Sequence, residues 1–212
     1  MLVLAVDTCL GACSVAVADA LACRASASEP MARGHQERLA TMVRETLAAA
    51  GKGFPALDRV AVTVGPGSFT GVRVGMAFAK GIALALDRPC VGVGTLEALA
   101  ASTQVGDVRT AVIDAGRGQV YLQIFRGGQA LTAPEVLPTA LAAERVLDIA
   151  GARGLALVGP GVACLADLLP TAACVEFASP SPDAVARLGV FADPDSALPI
   201  YLRPPDAKPK VL

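Results

Sequence analysis

The 212-residue chain has no tryptophan and a single histidine, His35. One histidine excludes paired-histidine metal motifs such as H-E-x-x-H, so a zinc site would have to be built from cysteine or carboxylate. It also leaves Cys–His or Ser–His nucleophilic chemistry dependent on that one imidazole. Net charge is nearly absent too: 18 Lys and Arg stand against 19 Asp and Glu. Residues 1–106 carry nine basic and eight acidic side chains, residues 107–212 nine and eleven. Neither half is a basic patch, which argues against autonomous high-affinity nucleic-acid binding. The six cysteines (Cys9, Cys13, Cys23, Cys90, Cys164, Cys174) contain no C-x-x-C pair. A chain that is 54% hydrophobic needs no disulfide staples, so buried reduced thiols are expected. The apolar N-terminus lacks the basic lead of a secretory signal, and Asp7 and Asp19 interrupt it. No run reaches the ~18–20 uninterrupted apolar residues of a membrane span. The expectation is a cytoplasmic protein with no membrane contact, metal or cofactor.

Met1–Val6 and Cys13–Ala18 read as a β-hairpin, and Ala22–Ser28 as a weaker third strand. From Gly34 to Ala50 the apolar period becomes helical, through Leu39, Met42, Val43 and Leu47. Arg59–Val64 and Cys90–Val93 read as strands, with helices near Gly71–Leu86 and Leu96–Ser102. Thr110–Ile113 and Gln119–Arg126 then repeat the opening hairpin. Asp7 and Asp114 each end a strand and open a short Gly-containing loop, 107 residues apart, half the chain. Helices are expected near Pro138–Ala150, Val162–Leu169 and Pro182–Val190, with a strand at Leu155–Val158. The four-proline tail Pro199–Leu212 should run extended over the surface. This order resembles an α/β, actin-like (ASKHA) duplicated ribonuclease-H-like fold, with two lobes, 1–104 and 105–212, each a mixed sheet with flanking helices. A Rossmann fold fits less well, because its first strand leads into a helix.

The segment Val64–Gly75, VGPGSFTGVRVG, is a strand end, a tight turn and a helix start. Gly65 and Gly67 permit backbone approaches that a Cβ would obstruct, and Ser68 or Thr70 can cap the helix. Its N–H groups suit an anion, but without G-K-[ST] it is no Walker A. A structural turn is favoured over a ligand loop. Gly71, Gly75, Ala79 and Ala83 form a small-residue stripe in the following helix. It serves equally for packing on the lobe's own sheet or for close approach of another chain. Arg73, Lys80 and Asp87 form a separate polar stripe.

LAVDTCLGACSVAV, GHQERL, VTVGPGSFTGVRVGMAFAKGIALAL, IDAGRGQVYLQIF and PIYLRPPDAK together resemble the TsaB (YeaZ) family over almost the whole chain. The resemblance implies an actin-like fold and a part in making threonylcarbamoyladenosine beside the anticodon of tRNAs that read ANN codons. It further implies a TsaD homologue as catalytic partner, a TsaE ATPase in a ternary complex, and tRNA contact only through that complex. A homodimer is the expected alternative state of the chain alone. TsaD-like metal binding through H-x-x-x-H is out of reach with His35 alone, as is a metallopeptidase activity. The chain thus reads as a non-catalytic activator, and the resemblance implies that it pairs through its two N-lobe helices. The residues expected to bind the partner are His35, Leu39, Met42, Val43, Thr46, Gly71, Arg73, Gly75, Met76, Ala79 and Lys80. The alternative is an actin-like small-molecule kinase or ATPase. Against it, the Asp7 loop delays its glycine to Gly11, while Asp114 with Gly116 and Gly118 keeps D-x-G. One good loop and one degraded loop suggest vestigial phosphate loops.

Overall fold

The chain is described by a computed structural model covering residues 1–194 and 196–203. The apolar run Leu2–Asp7 (β1) is buried on both faces, as a central strand must be. It pairs antiparallel with Ala12–Asp19 (β2), placing Asp7 opposite Ser14. Cys23–Pro30 (β3) lies antiparallel along β2 as an edge strand. Arg59–Thr63 (β4) joins β1 in parallel, and Cys90–Val93 (β5) joins β4 in parallel. The resulting order is β3-β2-β1-β4-β5.

The second sheet repeats the plan. Val108–Gly116 (β6) and Gln119–Arg126 (β7) form the antiparallel hairpin, and Gln129–Ala130 (β8) and Glu135–Pro138 (β9) both pair with β7. Leu155–Val158 (β10) lies parallel to β6, and Ala173–Val175 (β11) parallel to β10. Two sheets with one strand order are the expected duplicated actin-like α/β fold. The short strands β8, β9 and β11 carry too few residues to show a period-two pattern and were not anticipated.

Helices His35–Ala49 (α1) and Phe69–Leu86 (α2) cover one face of the first sheet. Leu39, Met42, Val43, Leu47, Val72, Met76 and Ala79 pack there on Leu4, Val6, Val15, Val60 and Val62. By length and composition α2 could cross a bilayer, but a third of it is buried in this protein. Thr95–Ala101 (α3) sets Leu96, Leu99 and Ala100 against Ala111, Ile113, Phe125 and Val158 of the second sheet. Thr139–Ala150 (α4) covers that sheet's opposite face through Ala142 and Val146. Pro182–Phe191 (α5) returns to the first sheet, where Val185, Ala186 and Val190 cover Val3, Ala5, Ala61 and Val91. A Cβ on Gly189 would collide with that of Ala61. Strands β1–β5 precede residue 104 and β6–β11 follow it, but helices cross in both directions: α3 from the first half packs on the second sheet, and α5 from the second half supplies one layer of the first.

The helix expected at Val162–Leu169 is instead a 3-10 turn, Val162–Cys164, followed by mixed turns. Gly161 and Pro170 bracket this segment, which leaves it about two turns of helix, too short for propagation to offset the cost of nucleation. Of the tail, Ile200 donates its N–H to the Val64 carbonyl at 2.8 Å. The expectation for residues 204–212 lies outside the described residues. All six cysteines are free thiols, but only Cys9 and Cys13 are buried; Cys174 is exposed.

Candidate functional site

The Gly-rich turn is built around the loop after β1. Ser68 N–H donates to the Cys9 carbonyl at 2.8 Å, and the Thr8 hydroxyl donates to the Gly71 carbonyl at 2.7 Å. Ser68 is the helix cap, its Oγ accepting from Gly71 N–H at 3.3 Å. A Cβ on Gly67 would stand 2.5 Å from the Cys9 carbonyl oxygen, and one on Gly75 2.6 Å from Thr8 Oγ1. A Cβ on Gly71 would overlap the Thr8 carbonyl. The stripe is thus a groove that seats the backbone of Thr8 and Cys9, the place where an active first phosphate loop would need open space.

Asp7 is 1% exposed. Its Oδ1 accepts from Thr63 Oγ1 at 2.6 Å and Cys9 N–H at 3.0 Å, while Oδ2 has no partner among the described residues. Burial raises its pKa, outweighing the Thr63 and Cys9 hydrogen bonds and the pull of His35. Cys9 Sγ in turn points at Thr63 Oγ1, 3.0 Å away, and burial beside Asp7 pushes this thiol up to about 12. Asp114 is exposed, and its Oδ1 accepts from Gly116 N–H at 2.7 Å. Both aspartates therefore make the same bond, to the N–H two residues on, which fixes a turn. Gly116 and Gly118 have φ of 71° and 70°, and nothing stands within 4 Å of a Cβ on either. The second loop stays open while the first is filled.

The expected partner-binding residues divide sharply. Leu39, Met42, Val43, Thr46, Gly71, Gly75, Met76 and Ala79 are all buried within the chain itself. This corrects the expectation that they meet a partner: they face the sheet, and Thr46 turns its hydroxyl onto the Met42 carbonyl at 2.8 Å. His35 is half-buried at the head of α1, beside a groove of about 380 Å³ shared with Ser68, Thr70 and Val74 of α2. Arg73 and Lys80 are exposed. The Arg73 guanidinium lies 3.6 Å over the Phe69 ring, and that ring is 5.2 Å from Tyr201.

What the sequence pattern missed is the other side of α2. Ala77, Gly81, Leu84 and Ala85 are exposed there, Leu84 at 85%, flanked by half-buried Val74 and Phe78. A signal was present: outside the narrow Arg73/Lys80 stripe α2 is apolar or small on both sides, and its own sheet takes only one of them. Among the described residues, no three His, Cys, Asp or Glu side chains converge as a metal site would require.

Residues 28–173 match the sequence model of the family described as "TsaD: tRNA N6-adenosine threonylcarbamoyltransferase". The chain is 40% identical over 124 residues to the Escherichia coli "tRNA threonylcarbamoyladenosine biosynthesis protein TsaB", a match spanning 57% of this chain and about half, 53%, of that protein. It superposes on "YeaZ from Pseudomonas aeruginosa" with a TM-score of 0.79 at 30% identity, covering 94% of this chain and 99% of the other. The ethanolamine utilization protein EutJ from Carboxydothermus hydrogenoformans shares the fold alone, with a TM-score of 0.51 at 14% identity over 88% of each chain.

Proposed function

The chain belongs to the TsaB (YeaZ) family, and from that premise we propose that it serves tRNA threonylcarbamoyladenosine biosynthesis as a non-catalytic activator of a TsaD homologue. In this reading a TsaE ATPase joins the pair, and tRNA is reached only through the complex. The carrying observation is the outer face of α2, where Ala77, Gly81, Leu84 and Ala85 are exposed together. A contiguous apolar patch of this kind on a charge-balanced chain is the mark of a protein contact. Small residues there let a partner helix approach closely, and Arg73 and Lys80 supply a polar rim. The kinase alternative is weakened by the first loop, whose Thr8–Cys9 backbone is already seated on α2.

The test is co-expression with the TsaD homologue of the same organism, followed by size-exclusion chromatography and a modification assay on a tRNA reading ANN codons. Co-elution, and modification only when both chains are present, is the expected result. Modification by the TsaD homologue alone, or ATP turnover by this chain alone, would overturn the proposal.

A further inference from the structure

A cavity of about 350 Å³ opens where α3, α5 and the β7–β8 turn meet, lined by Glu97, Gln104, Arg109, Gly128 and Arg187. Its floor holds an unusual cation. Arg109 projects from the start of β6 on the face that packs against α3, and it is only 8% exposed. Its Nη1 donates to the Thr103 carbonyl, but its Nε is buried without a hydrogen-bond partner. No ion pair joins Arg109 to a carboxylate among the described residues. A guanidinium cannot shed its charge by deprotonation, and a buried charge without a counter-ion is costly. With Nη1 occupied and Nε enclosed by the chain, Nη2 is the nitrogen left to meet the cavity, as a charged donor whose hydrogen bond to an anionic oxygen is strong.

The surrounding groups suit the same ligand. Arg187 adds a second guanidinium at the mouth, held by Asp183 at 2.9 Å and by the Ala101 carbonyl at 3.3 Å. Gln104 brings amide donors. Glu97 is the one carboxylate in the lining, and burial raises its pKa with no cation pulling it down. It is therefore not the counter-ion of Arg109.

We propose that this cavity binds a small oxyanion, a carboxylate or phosphate group, through the Nη2 end of the Arg109 guanidinium. The ligand is a compact metabolite, since the guanidinium is recessed and the cavity is small.

Isothermal titration of the full chain with sodium phosphate and with sodium malonate, at ionic strength matched by chloride, tests this. Saturable one-to-one binding of at least one anion in the millimolar range is expected, and which anion binds distinguishes a phosphate from a carboxylate site. Arg109→Met should abolish it, and Arg109→Lys should weaken it by about tenfold or more, because the shorter, more strongly hydrated ammonium does not reproduce the guanidinium donor at that place. In anion-free buffer Arg109→Met should melt no lower than the wild type, since it removes an unpaired buried charge. Should that variant fail to fold, Ala101→Leu, which narrows the cavity and leaves Arg109 in place, should weaken binding in its stead. No binding of either anion at about 10 mM, where even a millimolar site would be largely filled, overturns the proposal. Equal binding by wild type and Arg109→Met, or by wild type and Ala101→Leu, overturns it as well.

Discussion

Thr8 and Gly71 are locked together from both sides: the Thr8 hydroxyl donates to the Gly71 carbonyl at 2.7 Å, and the Thr8 carbonyl fills the space a Gly71 Cβ would need. The contact ties the loop after β1 to the first turn of α2. It makes the Gly-rich segment a fastening between strand and helix, with consequences that differ from those of a ligand loop.

Two glycine replacements in one helix should act in opposite directions. Gly71→Ala forces the helix away from Thr8, and overpacking of this kind costs about 1–3 kcal/mol. Gly81→Ala meets nothing within 4 Å, so the gain in helix propensity should stabilise the chain by about 0.5–1 kcal/mol. Urea unfolding of both variants gives the comparison. Equal and small effects would mean that α2 does not sit this closely on the loop.

The two faces of α2 should separate folding from association. Leu84→Asp changes an exposed side chain and should leave the melting temperature within a degree or two while weakening capture of the TsaD homologue about tenfold or more. Met42→Asp buries a charge in the core of the first sheet and should prevent folding. A Leu84→Asp chain that still binds normally would move the contact elsewhere.

Asp7 should make stability fall as pH rises. Burial raises its folded pKa, so between the unfolded value, about 4, and the higher folded value only the unfolded chain releases the proton. The group is harmless below about pH 4 and penalises the fold progressively above it. Asp7→Asn keeps a side-chain oxygen for Cys9 N–H and Thr63 and removes the charge. Its melting temperature relative to wild type should climb as pH increases from 4 and then level off. A difference independent of pH would show that Asp7 ionises freely in the folded chain.

Thiol labelling should follow exposure. Cys174 is exposed and should react first with a disulfide reagent at pH 8. Cys9 and Cys13 are buried, and burial with nearby carboxylates pushes their thiols up to about 12 and about 11, so both should stay silent until denaturant is added. Early labelling of either would mean that the β1–β2 turn opens in the native state.

The hairpins, the long helices and the repeat of Asp7 at Asp114 were legible because hydrophobic period and turn chemistry are local properties. The orientation of α2 was not. Gly71, Gly75 and Ala79 form the same four-residue repeat whether they face a sheet or a partner, and the difference lies in Thr8, which is distant in sequence. The larger residues of α1 were misplaced for the same reason, since Leu39 and Met42 read as apolar stripe without saying whose core they enter. Arg109 was invisible, because one arginine in a strand has no pattern, and only its burial beside Thr103 sets it apart. The return of α5 could not be read either, since no residue of 182–191 names the sheet it covers.

That return sets the order in which the molecule can be completed. A nascent chain leaves the ribosome with β1 to β5 first, and α1 and α2 can close one side of the sheet at once. Val3, Ala5, Ala61 and Val91 on the other side stay bare until residues 182–191 have been made, by which time the second sheet is already available to fold. The part synthesised first is thus the part finished last. During that interval it offers water, or a chaperone, an apolar surface of the sort that drives misassembly.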